Sequence, residues 1–529
     1  MIYNQVIKSK NGLSVPVFNS GRPSFSKYNP QRDGEIFCNN LNKSSFFLIA
    51  GLSSGIHIHE IFKKYPESFV LVIEESQEDI FFLKENCPEV QELFEKKNFF
   101  VTDKDKLEEC LINLYLPALF DSFSFAEYRP WAEENPERME EIRTSVKNAL
   151  ERIRLDFSTQ ARFGKLWQRN ILENLVLYKK KYSLEKDYSI KMPDINGKTA
   201  IVLAAGPSLE KNLDFIKKNR KEYFVIASDT ALGPALKNKI IPDAAVSIDG
   251  QAISHSHFMN KKALQSIPLF IFDLNANPSA VRIVAESRAK ILFSSSFHPL
   301  TLYAERAGQK VLRKKQNFEK NTSSFLKLES GSGTVTISAL DFAFKAGFSK
   351  IIVLGADFAY SGGKSYASGT YLDRIYNQNS SKITNSESLY SKLYFRSPLY
   401  IKERDFYSTG ILKSYEDSFE NYLKVHNLSE KNSSTVRIIT CKSKRESLSS
   451  EINIFNYFNL SYFNYDNFIA ELRKDLSEME KNLQVKNIEL IKKSPLFFPF
   501  LPYISKDRAN KVSLTESLKL AIDDIKRYT

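Results

Sequence analysis

The sequence predicts a multidomain α/β protein with a doubly wound parallel sheet at its centre. Three observations predict it. Short apolar runs alternate with amphipathic segments in two separate stretches, near residues 45–75 and 200–355. Most of these runs end in glycine or in small polar and acidic residues, and open parallel sheets hold ligands at that edge. A chain of 529 residues also exceeds one ordinary core and calls for two or three domains. The expected parts are a Rossmann-like N-terminal domain (1–132), a helical connector (133–190), a central nucleotide-binding domain (191–445, with an insertion at about 359–428) and a helical C-terminal region (446–529).

In the first part, Ser45 to Ala50 reads as a strand, Gly51-Leu52-Ser53-Ser54-Gly55 as a turn and Ile56 to Tyr65 as a helix. The strand Phe69 to Ile73 ends at Glu74-Glu75, where an acid bonds a ribose in dinucleotide-binding folds. The Gly-x-x-x-Gly turn is degenerate, so a plain βαβ scaffold remains the competing reading. His57 and His59 are two apart and face different directions on a helix, which speaks against a shared metal. Long helices are expected from Glu133 to Tyr182, with apolar residues recurring through Trp167, Ile171, Leu175 and Leu177. The polar stretch Lys181 to Gly197 marks a boundary.

The core opens with Ala200-Ile201-Val202-Leu203 and the turn Ala204-Ala205-Gly206-Pro207-Ser208-Leu209, followed by an amphipathic segment to Lys218. Gly206 permits a sharp turn, Pro207 suits a first helical turn, and Ser208 can cap. Free amides at such a helix start favour a phosphate. A second strand, Phe224 to Ala227, ends in Ser228-Asp229-Thr230. A third, Ala244 to Ile248, ends in Asp249-Gly250-Gln251. Glu329-Ser330-Gly331-Ser332-Gly333-Thr334 opens an apolar helix from Val335 to Ala346, and the strand Lys350 to Leu354 ends in Gly355-Ala356-Asp357-Phe358. The Tyr-rich insertion from Ala359 to Leu428 carries glycine loops of the kind that close over ligands. Thr435 to Thr440 reads as a late strand. Helices at Asn467–Leu483 and Leu514–Arg527 are divided by the proline-broken apolar segment Ser494 to Phe500.

Composition narrows the function. With 42% hydrophobic residues the chain can build well-packed domains. The 75 basic and 62 acidic residues give a formal charge of +13, which reads as a solvated basic surface or as attraction to an anionic sugar nucleotide, an acidic protein or nucleic acid. The lysines are dispersed and no basic–aromatic signature of nucleic-acid binding is present. Four widely spaced cysteines without a C-x-x-C pair read as reduced thiols of a cytoplasmic protein. Neither a signal-peptide core nor an apolar run of membrane-spanning length occurs. The absence of a Gly-x-Ser-x-Gly elbow and of a Walker A lysine argues against a serine hydrolase or a P-loop ATPase.

The ordered motifs Gly206-Pro207-Ser208-Leu209, Ser228-Asp229-Thr230-Ala231-Leu232, Ile241-Pro242-Asp243, Ser247-Ile248-Asp249, Gly331-Ser332-Gly333-Thr334-Val335 and Leu354-Gly355-Ala356-Asp357-Phe358 resemble those of the motility-associated factor (Maf) flagellin glycosyltransferases. Their core is similar to that of bacterial sialyltransferases, and a related core occurs in archaeal 6-hydroxymethylpterin diphosphokinases. The resemblance is best from about Gly197 to Phe358. Trp167, Asn170 and Asn174 look like a Trp/Asn pattern of the Maf connector, with interdomain packing as their plainer role.

The resemblance implies an inverting transferase. It would move a nonulosonic acid of pseudaminic or legionaminic type from a CMP-sugar to Ser or Thr of flagellin, whose docking surface would include the C-terminal helices. The turn Ala205, Gly206, Pro207 and Ser208 would then meet nucleotide or sugar oxygens, Asp229 and Asp249 would form the pocket floor beside Thr230, and Ser332, flanked by Gly331, Gly333 and Thr334 of the binding set, would donate to the donor's carboxylate. The chain departs from the sialyltransferases at three points. Ala205 stands where they have Asn before the turn, Asp229 and Asp249 replace their Asn residues, and no His lies between His298 and His426, where they place their base. Asp357 and Tyr360, with Asp249, are the catalytic candidates expected instead, and Tyr366 and Asp373 lie nearby. His255 and His257 fall near the pocket, with surface positions the equal alternative. The two aspartates leave room for a Mg²⁺, and so for a diphosphokinase using ATP. The missing His leaves room for a non-catalytic flagellar assembly factor.

Overall fold

The computed structural model of the protein describes residues 1–182, 195, 197–287, 289–296, 298–309, 323–330, 333–403, 405–433, 436–441, 458, 460–461, 463–485 and 488–529. Gly331, Ser332 and most of the expected boundary at 181–197 lie outside them. The chain divides into two compact units: residues 1–164 with 501–518, and residues 165–500 with 519–529. The expected connector and C-terminal region therefore supply residues to both.

In the first unit β1 (Tyr3–Lys8) and β2 (Ser14–Phe18) form an antiparallel hairpin that the sequence did not signal. The strands β3 (Phe46–Ala50), β4 (Phe69–Glu74), β5 (Phe99–Asp103) and β6 (Phe123–Glu127) form a parallel sheet in the order β5-β4-β3-β6. Every residue of β3 is buried, as a central strand covered on both faces requires. This is the Rossmann-like order, and a nucleotide would lie outside the strand ends. Trp131 fills that space. Gly51 has φ +100°, and a Cβ on it would lie 2.7 Å from Trp131. The indole N–H donates to Glu74 Oε1 at 2.5 Å, and the Leu52 amide and Tyr3 hydroxyl donate to Oε2. Arg138 lies 3.7 Å over the indole and pairs with Glu75. Glu74, the expected ribose ligand, is thus consumed inside the unit, and the scaffold reading holds. His57 is buried with Nε2 on Gly51 O, while His59 reaches Glu89 O.

The second unit is built on a nine-stranded sheet. Its strands are β7 (Thr199–Leu203), β8 (Tyr223–Ser228), β9 (Ala244–Ser247), β10 (Leu269–Asp273), β11 (Lys290–Ser295), β12 (Leu326–Lys327) and β13 (Lys350–Leu354). After these, β14 (Tyr360–Ser361), β15 (Leu399–Glu403) and β16 (Phe406–Thr409) form a small antiparallel sheet in the insertion. The last strands are β17 (Ser429–Ser433) and β18 (Val436–Thr440). The large sheet runs β12-β11-β10-β9-β8-β7-β13-β18-β17, parallel through β13, with β18 antiparallel to it. The strand order reverses between β7 and β13. The helix Val335–Lys345, apolar as expected, is almost wholly buried against the sheet.

The C-terminal helix Tyr465–Gln484 buries Phe468, Leu472, Leu476, Met479 and Leu483, a stripe at helical spacing, and Asp475 accepts from Tyr303. These side chains belong to the unit's packing. The segment Ser494 to Phe500, expected to be broken, runs into a helix, Phe497–Ala509. Pro499 falls in its first turn, where the missing N–H has no helical partner to lose.

Candidate functional site

The turn after β7 is closed by the chain itself. Pro207–Asn212 is a 3₁₀ helix, and the α-helix that follows, Leu213–Lys218, has only six residues. The turn therefore does not open a long α-helix. The Gly206 amide donates to Gly355 O at 2.8 Å, Leu209 N to Gly206 O, and Ser208 N to Asp357 Oδ2 at 2.8 Å. Pro207 has no amide proton. The Ser208 hydroxyl also donates to Asp357 Oδ1. This corrects the expectation of a phosphate cradle: those amides already have acceptors. It also corrects the role expected of Asp357, whose carboxylate caps the turn. Burial raises the Asp357 pKa, and the two Ser208 bonds oppose that.

Gly206 is required for a steric reason. Its φ is −64°, but a Cβ would lie 2.5 Å from Gly355 O and 2.6 Å from Asp357 Oδ2. Phe358, next to Asp357, holds φ +48°, a strained value for a bulky residue. The insertion latches over the same turn. Ala367 N donates to Ala205 O, Ser368 N to Glu210 Oε1, and Lys364 pairs with Glu210 at 3.0 Å. Asp373, another local candidate, accepts from Ser368, Gly369 N and Tyr390 and so braces this loop. Tyr360 packs edge-on against Tyr394.

The next two strand ends differ. Asp229 opens the helix Asp229–Lys237. It is buried, with Oδ1 accepting from Thr230 N and Oγ1 and Oδ2 accepting from Ser247. Asp249 is half-buried; its Oδ1 accepts from Gln251 N at 2.9 Å, and the Gln251 side chain also bonds the carboxylate. Burial and the Asp229 charge raise its pKa. The 3₁₀ stretch Ala252–Phe258 then carries His257 back toward both acids. Its Nε2 lies 3.5 Å from Thr230 Oγ1, and its ring meets Tyr371 edge-on at 4.9 Å. Burial lowers the His257 pKa, and Asp229 and Asp249 pull it upward. The ring is therefore neutral at pH 7, as a proton acceptor must be. His255 Nδ1 is engaged locally, on Ala252 O at 2.7 Å.

Three tyrosines of the insertion complete the group. The charges of Asp229 and Asp249 reach Tyr371, that of Asp229 reaches Tyr366, and that of Asp249 reaches Tyr415. Burial raises all three pKa values, so the phenols stay protonated and can donate hydrogen bonds. Gly333, at φ +73°, comes up beside Tyr415: a Cβ there would lie 3.1 Å from the ring. Thr334 caps the helix Val335–Lys345 through Thr336 N. The structure thus brings Asp229, Thr230, Asp249 and Gly333 together and gives Gly206, Ser208 and Asp357 a separate, internal job. Tyr371 and Tyr415 were not signalled by any motif; abundant tyrosine in the insertion was the only hint.

Trp167, Asn170 and Asn174 lie within the second unit. Asn170 Nδ2 donates to Gly250 O and Asn275 O, and Asn174 Nδ2 to Leu274 O and Ala276 O. The side-chain amides hold the loops after β9 and β10. No group of three His, Cys, Asp or Glu residues suited to a metal occurs among the described residues. No helix among them is long and apolar enough to cross a membrane.

Residues 169–363 match the family model described as 6-hydroxymethylpterin diphosphokinase MptE-like. Three proteins of Treponema pallidum (strain Nichols), each described as uncharacterized, are similar to parts of the chain. One is 38% identical over 143 residues (27% of this chain, 65% of the relative), the second 34% over 153 residues (28% and 49%), and the third 23% over 339 residues (61% and 53%). The chain thus spans less than two thirds of the length of each. Among solved structures, the Maf glycosyltransferase from Magnetospirillum magneticum AMB-1 superposes with a TM-score of 0.54 at 11% identity, covering 100% of this chain and 90% of that one. The chain has that protein's fold, as its ordered motifs implied.

Proposed function

We propose that the chain is a glycosyltransferase that moves a nonulosonic acid of pseudaminic or legionaminic type from its CMP derivative to a Ser or Thr hydroxyl of flagellin, with inversion. The Maf-like fold supports the transferase class. The observation that carries the reading is the grouping of neutral His257 with Asp229 and Asp249 among tyrosines. His257 takes the acceptor's proton as the hydroxyl oxygen bonds to the anomeric carbon. The bond from that carbon to the phosphate oxygen breaks on the opposite face, and CMP leaves with the electron pair. The transition state carries oxocarbenium-like positive charge, which the carboxylate of Asp249 stabilises. Tyr366, Tyr371 and Tyr415 donate to sugar or phosphate oxygens.

A Mg²⁺ does not fit these residues. Both oxygens of Asp229 already accept hydrogen bonds, and Asp249 and His257 alone make a poor set for a cation that prefers six oxygen ligands. The MptE-like match favours a second reading, diphosphate transfer from ATP to a pterin alcohol, and that chemistry leans on a cation.

The test is to incubate the purified protein with CMP-nonulosonic acid and flagellin and to weigh the flagellin intact. A mass gain of whole sugar residues, lost in His257→Asn, is expected. Unmodified flagellin, with a diphosphorylated pterin formed from ATP instead, would replace this reading by the second.

A further inference from the structure

A seam of buried polar atoms without partners runs along the second unit, beginning one residue beyond Asp249. Asn277 N donates to Asp249 O at 3.0 Å, and the next carbonyl, Gly250 O, accepts from Asn170. The loops are so close that a Cβ on Gly250 would lie 2.7 Å from Asn275 O, 3.0 Å from Asn170 Nδ2 and 3.7 Å from Trp167 Cδ1. Asn275 Nδ2 donates to Ser296, and the Trp167 ring meets His298 edge-on at 5.9 Å. One seam therefore joins Trp167, Asn170, Gly250, Asn275 and His298.

Three buried atoms in it have no hydrogen-bond partner: Asn170 Oδ1, Asn275 Oδ1 and His298 Nε2. Asn170 is 0% and His298 8% exposed. The proton positions of His298 follow from its other nitrogen. Nδ1 accepts from Leu300 N at 3.1 Å, so Nε2 carries the hydrogen. Burial pushes its pKa down to about 4, so the ring is neutral and Nε2–H is a single donor. A buried polar group left unpaired costs about 1–3 kcal/mol, and native interiors avoid it. Two amide oxygens and one N–H, beside an indole, ask for a neutral group with two donors and one acceptor.

We propose that this seam is the subsite for an amino-substituted nitrogen heteroaromatic ring: the exocyclic amine donates to Asn170 Oδ1 and Asn275 Oδ1, and the adjacent ring nitrogen accepts from His298 Nε2–H. Cytosine, adenine and pterin all present that amine-and-ring-nitrogen edge. Uracil does not, because its oxygen and N–H reverse the pattern. The seam continues from the Asp249 loop, so a base held there places the rest of a nucleotide along the strand ends toward His257. The assignment of the ring to a CMP donor rests on the function proposed above; the seam's chemistry does not.

The experiment is calorimetric titration of the full-length protein with CMP, AMP, UMP and 6-hydroxymethylpterin, and of its His298→Asn variant with the same four. Asparagine keeps an acceptor for Leu300 N at the start of the helix Pro299–Gln309 while removing the Nε2–H. The wild type is expected to bind CMP about tenfold or more tighter than UMP, and His298→Asn to lose about tenfold for CMP with UMP unchanged. Equal binding of CMP and UMP by the wild type overturns the proposal without any variant. So does a folded His298→Asn with full CMP affinity, which would leave structural water in the seam and the CMP-donor reading intact. Binding of AMP or the pterin in place of CMP, with the same His298 dependence, keeps the seam and removes the CMP donor. If the wild type binds none of the four, both fall.

Discussion

Replacing Glu74 with glutamine should stabilise the first unit above pH 7 and weaken it in acid. The wild-type carboxyl is fully buried, and burial pushes its pKa from 4.5 up to about 7. A carboxyl whose pKa rises on folding takes up a proton as the chain folds. Its cost is absent below 4.5, grows between 4.5 and about 7, and is complete above that. At about 1.4 kcal/mol per pKa unit the full cost is about 3 kcal/mol. Glutamine does not ionise, and its oxygen still accepts from Trp131 Nε1 and Glu75 N. Its amide nitrogen cannot accept from Leu52 N, which takes back about 1 kcal/mol, while the Tyr3 hydroxyl, a donor to the carboxylate, can turn to accept from that nitrogen. The variant should therefore gain about 2 kcal/mol above pH 7 and lose about 1 kcal/mol below pH 4.5, so the two curves cross between. Urea unfolding in a Trp167→Phe background measures this, because the chain has two tryptophans and Trp131 alone then reports. His57, whose pKa burial lowers to about 3, destabilises with the opposite sign as pH falls, but it titrates in both proteins and cancels. A stability difference that stays flat from pH 4 to pH 8 would refute the reasoning and reopen Glu74 as a solvated, ligand-facing acid.

His257→Asn should lower transfer by about 10²–10⁴-fold. In the wild type kcat/KM should fall as acid protonates the ring, at a pH below the ordinary histidine value of 6.5, and the variant's residual rate should lack that acidic limb; a pH profile identical in shape would acquit His257. Gly206→Ala should cost stability before it costs binding, because Gly355 O, a backbone atom, stands 2.5 Å from the added Cβ. A thermal melt unchanged within about 1 °C would show that the turn can open. Deleting residues from Asn464 onward should unfold the second unit and not merely blunt acceptor recognition, since it strips Phe468, Leu472 and Leu476 from the interior. A folded truncated protein, judged by near-ultraviolet dichroism, would return those helices to the surface.

The strands that position the site were legible in the sequence because each is an apolar run with a polar end. Asp229 and Asp249 were found for the same reason: strand ends in a parallel sheet share one edge. What escaped detection depends on distant pairs. Asp357 reaches Ser208 across 149 residues, and Trp131 reaches Glu74 across 57. No local pattern announces either. The 3₁₀ stretch after Asp249 folds back on itself and brings His257 beside Asp229, a placement that depends on the path of the loop and not on residue spacing. The hairpin β1–β2 carries no signal in the sequence because its first strand, half of it polar, lacks a regular alternation and is buried at Tyr3 alone.

Both units keep a strand–turn–helix of the nucleotide-binding type, and in both the chain itself satisfies the atoms that would hold a ligand. In the first, Trp131 and Leu52 N occupy Glu74. In the second, Gly355 O and Asp357 occupy the amides after β7. A phosphate could reach the Ser208 amide only by displacing a carboxylate that makes two charge-assisted bonds, trading one anion for another. The displaced carboxylate would then stand beside the phosphate, where like charges repel. Topology alone thus points to the place where the order reverses, between β7 and β13, and chemistry points elsewhere. The neutral imidazole of His257 and the unpaired atoms of Asn170, Asn275 and His298 lie along β8 to β11, on one side of that reversal. A ligand lying along those strand ends would meet the His257 imidazole at one end and the unpaired atoms of Asn170, Asn275 and His298 at the other, and would break no bond that the fold already makes at the β7 turn.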